Sequence, residues 1–422
     1  MKNLGDGLIL RHLEKSDRES LLEHVNNVYE SSIIPSASIL TNQLLDHYPG
    51  LSLEDNFVVV DTKQNNKIIA WLCLLRKTCV FNDVALPYGQ MDMVGTQKEY
   101  RNRGLIRQLS KVLEQHAVEY NLPFLVVLGI PYYYKRLGYE YAIELEESIR
   151  IPPHRVPPLE NKKEIFIIEK VNDVTSYQTY LKIRAKRNAH LDLYQQIQAS
   201  SFQFYSGFHL EECDEVKYFY LVKKEDKIIG NFYLVIRFGY LRIRECYVED
   251  MNAIPAILRF AKRMAQKYKL PLTINKPAQD ALIPYLEEIA GTKLTDPYAW
   301  FVKIPSFKSF LEQISLVLEK RLHQSIYKKI DTRITISYYK AGIKLTFKKG
   351  KLISLTELSI ADMQSSNQPI DLYIPPNNLI QLLMGYRTLD ELDELDVSIA
   401  GKKKHLLEIL FPKVKASLTP TI

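Results

Sequence analysis

The sequence predicts an α+β protein in which mixed sheets are layered with helices, and three observations carry that reading. Strand-like and helix-like segments alternate through the first 150 residues, a proline-rich run interrupts them, and the middle third then repeats the opening order of elements. A chain of 422 residues corresponds to two or three domains. With 46% hydrophobic and 25% charged residues it has the composition of a globular chain able to bury a sizeable core.

The first third opens with a strand candidate at Leu8 to Leu13. Ser16 or Asp17 can cap a helix running toward Tyr29, with Leu21, Leu22, Val25 and Val28 along one face. Asn56 to Asp61 and Lys67 to Lys77 read as paired strands around the polar turn Lys63-Gln64-Asn65-Asn66. A strand-like stretch, Tyr88 to Met93, leads into VGTQKEYRNRGLIRQL at Val94 to Leu109. Beyond it Leu105, Leu109, Val112, Leu113 and His116 recur at helical spacing, so a helix with one buried face is expected. Phe124 to Leu128 is a further apolar strand candidate.

The run Ile151-Pro152-Pro153-His154-Arg155-Val156-Pro157-Pro158 marks a boundary, because four prolines hold the backbone extended and exclude a helix. In the middle third, Lys217 to Lys223, Ile228 to Arg237 and Tyr240 to Val248 read as strands, and Ala256 to Tyr268 as a helix. The last third begins near Pro305 with one helical stripe (Phe307, Leu311, Ile314, Leu318, Leu322), then strands at Arg333 to Tyr339 and Ile343 to Phe347 with a turn at Lys349-Gly350. The expected domains are 1–150, 160–304 and 305–422.

The stretch around Gly104 suits an anion. The first turn of a helix has backbone N–H groups without helical partners, and the helix dipole adds positive character at the same end. Gly104 offers no Cβ where a phosphate approaches, and Arg101, Arg103 and Arg107 can pair with phosphate oxygens in a fork geometry.

A net charge of +7 fits a polyanionic small molecule as well as nucleic acid. The lysine runs at Lys348-Lys349 and Lys402-Lys403-Lys404 are short and read as solvated turns, so no nucleic-acid partner is expected. Cys73, Cys79, Cys213 and Cys246 form no CxxC pair, and no metal is expected. With no signal pattern at the N-terminus and no apolar run near 20 residues, the expectation is a reduced, cytoplasmic protein without a membrane partner.

The run Arg101-Asn102-Arg103-Gly104-Leu105-Ile106 resembles the acetyl-CoA motif of the GNAT N-acetyltransferases, Arg/Gln-x-x-Gly-x-Gly/Ala, departing from it at Ile106. Its RxRGLxR form is similar to that of the Eis-like (enhanced intracellular survival) branch. Downstream, Tyr134-Lys135-Arg136-Leu137-Gly138-Tyr139 resembles that branch's Tyr-x-Arg-Phe-Gly-Tyr element, with Leu137 in place of Phe. The segments IPPNNLIQLLMGYRTLDEL and HLLEILFPK look like the end of a sterol-carrier-like domain.

This resemblance implies two GNAT-like domains followed by a sterol-carrier-like domain. The second copy would be degenerate, since its strand-to-helix turn, Glu249 to Pro255, has neither glycine nor arginine and its acids would repel a diphosphate. The resemblance further implies acetyl-CoA as cosubstrate, bound by Val94, Gly95, Thr96, Arg101, Asn102, Arg103, Gly104, Leu105, Ile106 and Arg107. Tyr134 would be the general acid and the main-chain carboxylate of Ile422 the base, although the tail VKASLTPTI lacks the family's aromatic ending. Asp92 is the alternative base, on the same strand face as Val94 and Thr96. The acceptor would be an aminoglycoside, a polyamine or a lysine side chain, attracted by acids such as Glu30, Asp92 and Glu99, and the assembly a hexamer. A competing reading is a non-catalytic lipid or ligand carrier, or an assembly protein.

Overall fold

The computed structural model describes residues 1–29, 37–159, 163–208, 216–237, 239–276, 280, 282–290, 298–365, 369–392, 397–399 and 403–421. In chain order the first two thirds give β1 (Lys2–Gly5), β2 (Leu8–His12), α1 (Arg18–Val28), α2 (Ala37–His47), β3 (Asn56–Asp61), β4 (Lys67–Phe81), β5 (Val84–Thr96), α3 (Leu105–Glu119), β6 (Leu125–Val127) and β7 (Glu140–Glu144). They continue with β8 (Glu147–Arg150), β9 (Phe166–Lys170), α4 (Val174–Asn188), β10 (Leu193–Gln196), α5 (Ser201–Ser206), β11 (Val216–Lys224), β12 (Lys227–Arg237), β13 (Tyr240–Val248), α6 (Ile254–Tyr268), β14 (Leu272–Lys276) and, after helix Ile283–Ala290, β15 (Ala299–Lys303).

The first sheet runs β1-β2-β3-β4-β5-β6-β15-β7, and the second runs β8-β14-β13-β12-β11-β9. Two strands therefore change places relative to the chain. β8, from the end of the first third, joins the second sheet, and β15, from the end of the middle third, lies between β6 and β7 in the first.

The apolar runs of β3 and β4 are buried on both faces, as strands covered by helices on each side must be. Alternation sends Phe57, Val59, Ala70 and Leu72 toward α3, whose Leu105, Leu109 and Leu113 pack there. It sends Val58, Val60, Trp71 and Cys73 the other way, against Leu21 and Val25 of α1 and Leu40 and Leu44 of α2. Each leucine fully buried this way contributes about 2 kcal/mol. The second core also takes in Phe219, Leu221 and Tyr233, so the first and second sheets share it.

The last third forms a five-stranded sheet from Thr332–Ser337, Gly342–Lys348, Lys351–Leu358, Leu372–Tyr373 and Ser398–Ile399. The helix expected over 307–322 is instead two, Phe307–Gln313 and Ser315–His323, broken at Ile314 where φ is −94° and ψ 10°. The break lets Phe310 and Leu311 of one half and Val317, Leu318 and Leu322 of the other face one core with Phe124 and Trp300 of the first sheet region. The chain then turns inward. Residues 416–417 pair in parallel with β10, which itself extends the edge of β4, and Ser417, Leu418, Thr419 and Thr421 are buried. Among the described residues no helix is long and apolar enough to cross a membrane.

Candidate active site

The site begins with an irregularity in β5. Trp71 pairs with Gly95 and Cys73 with Asp92, so β5 carries one residue more than β4, and Met93 takes φ +54°. Such a bulge interrupts the ladder and re-aims backbone groups. On its other side β5 pairs in parallel with β6 only at Gly89–Leu125 and Gln90–Val126. Past that point the strands part, and a cavity of about 1010 Å³ opens between Met91 to Thr96 and Val127 to Ile130.

One end of the cavity is the start of α3. Gly104 caps the helix at φ +71° and ψ 17°, with no side chain accepting from the first turn. A Cβ placed on Gly104 would meet nothing within 4 Å. Arg101, Asn102, Gly104, Leu105, Ile106 and Arg107 line this end together with Val94, Gly95 and Thr96. Arg101 Nε donates to Thr96 O at 3.3 Å, tying the loop to the strand. Arg103 points elsewhere: it stacks over the Tyr100 ring at 5.1 Å and lines an adjoining cavity of about 770 Å³ with Lys63, Lys67 and Lys98. Ile106, at the position where the resemblance expects a small residue, has its side chain buried in the core beneath α3.

Tyr134 lies in a 3-10 turn, Tyr134–Leu137, closed by Gly138 at φ +84°. Its ring occupies a notch that only a glycine leaves open, since a Cβ on Gly129 would fall 2.5 Å from the ring carbon Cε2. Phe301 of β15 braces it at 5.5 Å and Tyr133 meets it edge-on at 5.2 Å. The exchanged strand thus helps to hold the ring. Burial raises the Tyr134 phenol above its ordinary value, and the negative charge of Asp92 raises it further.

Asp92 sits on the cavity wall, receiving hydrogen bonds from Met93 N at 2.8 Å and Gln90 Nε2 at 2.7 Å. Burial raises its carboxyl, and the Met93 N–H, Lys77 and Arg237 partly offset this. Gln90 in turn accepts from Lys77 Nζ at 2.6 Å, and the same ammonium donates to Thr421 Oγ1 at 2.7 Å. Pro420 and Thr421 form part of the cavity wall; Ile422 lies outside the described residues, as do Glu30 and Cys213. Glu99 lines the adjoining cavity, apart from Asp92.

Burial lowers the Lys77 ammonium to about 7 from its ordinary 10.5. Between those values the unfolded chain holds the proton and the folded chain does not, so stability rises with pH across that window. The cost is fully present below pH 7. The wild-type melting temperature is therefore expected to gain a rising contribution between pH 7 and pH 9 that Lys77→Met removes; identical slopes in a thermal-melt series would refute this.

Tyr29 and Arg237 line the same cavity, Lys77 bonds its wall residues Gln90 and Thr421, and Lys217 of β11 donates to the oxygens of Pro420 and Thr421, yet none of the four belongs to a motif. The available signal was a lysine inside an apolar strand run, as in WLCLLRKTCV and EVKYFYLV. A buried ammonium is costly unless something pairs with it.

The second sheet repeats the device and closes it. β13 carries one residue more than β12, with Glu245 at φ +46°, and pairs with β14 in parallel only over Leu241–Ile243. Where the strands part, the buried Lys276 of β14 donates across to the main-chain oxygen of Cys246. Glu245 is turned onto Arg184, at 2.5 and 2.9 Å. At the helix start, Asp250 caps through Asn252 N, and Glu249 and Asp250 bind Lys186, Lys227 and Lys224. Among the described residues no cluster of His, Cys, Asp or Glu side chains could hold a metal ion.

A splayed strand pair, a bulge at the split and a glycine helix start with no side-chain cap together offer free backbone N–H groups to an anion at one end of the cavity and to a polarised carbonyl along its wall. Residues 10–142 match the family model of the acetyltransferase (GNAT) domain, so the chain carries an acyltransferase domain of the GNAT class there. A probable N-acyltransferase from Enterococcus faecalis has a similar structure, with 15% identity and a TM-score of 0.72 over 98% of this chain and 100% of that one. A GCN5-related N-acetyltransferase from Anabaena variabilis matches with 15% identity and a TM-score of 0.64 over 98% of each chain. Eis1 from Mycobacterium abscessus matches with 10% identity and a TM-score of 0.63 over 98% of this chain and 100% of that one. At these identities the likeness is one of fold. No curated protein matches the sequence.

Proposed function

We propose that the protein transfers the acetyl group of acetyl-CoA to an amine by direct attack in the cavity beside β5. One observation carries this: the bulged strand, the open start of α3 and the Tyr134 ring all converge on the same cavity of about 1010 Å³. The backbone N–H groups of Val94, Gly95 and Thr96 polarise the thioester carbonyl and hold the pantetheine. Arg101, Asn102 and the first turn from Gly104 to Arg107 take the diphosphate, with Arg103 adding positive charge from the adjoining cavity. As the amine nitrogen bonds to the acetyl carbon, the carbon–sulfur bond breaks, and Tyr134 gives its proton to the departing sulfur.

The amine must lose a proton, and we assign that role to the main-chain carboxylate of Ile422. Its neighbour Thr421 on the cavity wall supports this. A second reading assigns it to Asp92, because burial moves this carboxyl toward the range where a base works best. Appending two glycines after Ile422 should lower kcat about a hundredfold with little change in acetyl-CoA affinity, and Asp92→Asn should lower it far less. If the extended chain keeps its kcat and Asp92→Asn loses it, Asp92 is the base.

The reading extends to the whole chain. Its place is in the Eis-like branch, with domains at 1–150, 160–304 and 305–422, the second a GNAT-like copy whose wedge is closed by Lys276 and the third sterol-carrier-like. The full-length likeness to the fold of Eis1 supports this. The acceptor is an amine on a small molecule such as an aminoglycoside or polyamine, or on a lysine side chain, and the assembly a homo-hexamer.

A further inference from the structure

We propose that Lys217 is a positioning residue that holds the C-terminal segment as a wall of the acyl-transfer cavity by donating to its last two main-chain carbonyls. The proposal rests on the acyltransferase reading for its kinetic arm alone.

Lys217 is on β11 of the second sheet and shares a strand face with Phe219 and Leu221, which belong to the core between the sheets. It is 8% exposed. An ammonium on such a face costs several kcal/mol unless compensated, and methionine would fill the space without that cost. The tail supplies part of that compensation. Lys217 Nζ lies 3.1 Å from Pro420 O and 2.9 Å from Thr421 O, above the Tyr205 ring at 4.7 Å and the Tyr233 ring at 5.7 Å.

The first sheet makes the mirror arrangement. Lys77 continues the face of Cys73 and Leu75, is likewise 8% exposed, and reaches the hydroxyl of the same Thr421. Each of two facing sheets thus gives up one apolar position to a lysine, and both lysines end on one residue of the cavity wall. Upstream, Arg184 and Glu245 grip Thr419, and Trp300 Nε1 donates to Leu418 O at 3.3 Å. Among the described residues, Lys217 is the side chain that donates to the main-chain oxygens of Pro420 and Thr421, so it fixes the path of the backbone whatever the side chains there.

The test uses the full-length chain with Lys217→Met, which keeps length and removes charge, and Lys217→Arg. Below the melting transition, a C-terminal exopeptidase followed by mass spectrometry should strip residues 418–422 from Lys217→Met at least about tenfold faster than from wild type, with Lys217→Arg near wild type. In kinetics, Lys217→Met should lower kcat by about thirtyfold or more and leave the acetyl-CoA dissociation constant within about threefold. In a chain ending at Ser417, adding Lys217→Met should cost nothing further. Equal digestion of folded Lys217→Met and wild type overturns the proposal, and so do losses that multiply between the substitution and the truncation. Should Lys217→Met not fold, Lys217→Gln, which lacks the charge and the reach, enters the same digestion, and wild-type resistance there overturns it. A wild-type tail that is protected by Lys217 in an enzyme that neither binds nor turns over acetyl-CoA would strike the transferase reading and leave the positioning role standing.

Discussion

Gly104→Asp is expected to weaken acetyl-CoA binding by at least about a hundredfold, about 2.7 kcal/mol, while moving the melting temperature by no more than a few degrees. The fold has room for the change, because nothing lies within 4 Å of a Cβ at this position. Its φ of +71° strains a side chain by about 1 kcal/mol, and aspartate is among the residues that tolerate the left-handed region best. The charge decides the outcome. A carboxylate about 5 Å from a diphosphate charge costs about 3 kcal/mol at an effective dielectric constant near 20, and it also neutralises the positive end of α3. Gly104→Ala separates the two effects: it adds the strain without the charge and should weaken binding by less than about tenfold. Calorimetric titration reads all three proteins, with the wild type at micromolar strength or better, about −8 kcal/mol. Wild type that gives no heat and no competition by coenzyme A defeats the transferase reading, and ligand binding by the last third becomes the question. Gly104→Asp that binds like wild type removes the diphosphate from this helix.

The parts of this site that sequence reveals are local ones. Arg101 to Gly104, followed by the Leu105, Leu109 and Leu113 stripe, announces a helix start with an anchored face because every contact involved lies within one turn or on one periodic face. The bulge at Met93 is invisible in the same stretch, since it is defined by the pairing of β5 with Trp71 and Cys73 on β4. Tyr134 is flagged by its motif, yet the brace that holds it, Phe301, comes from a strand that the chain order assigns elsewhere. Arg103 sits in the motif beside Arg101, but the loop turns it onto Tyr100 and the neighbouring cavity. The tail is the extreme case: nothing in VKASLTPTI predicts burial, and its path depends on β10, Lys77 and Lys217, more than 200 residues away in sequence. Long-range pairing and the partners of buried charge are what a single sequence does not encode in any short window.

Tyr134→Phe is expected to lower kcat by about a hundredfold to a thousandfold with the acetyl-CoA dissociation constant within about twofold of wild type. The ring stays in the Gly129 notch and against Phe301, so only the hydroxyl is lost and the stability change should be about 1 kcal/mol or less. Because burial and Asp92 both raise the phenol above its ordinary 10, it remains protonated throughout the working range. Wild-type kcat should therefore show no descending limb from this acid between pH 7 and pH 10. Asp92→Asn supplies the sign check. Removing a nearby negative charge makes the phenolate easier to form, so the tyrosine titrates at lower pH and any descending limb moves down with it. Tyr134→Phe with unchanged kcat and intact acetyl-CoA binding would assign the protonation of sulfur to another group on the wall. Asp92 would then be the first to test, because a carboxyl raised by burial holds its proton to higher pH than a solvated one and can donate as well as accept.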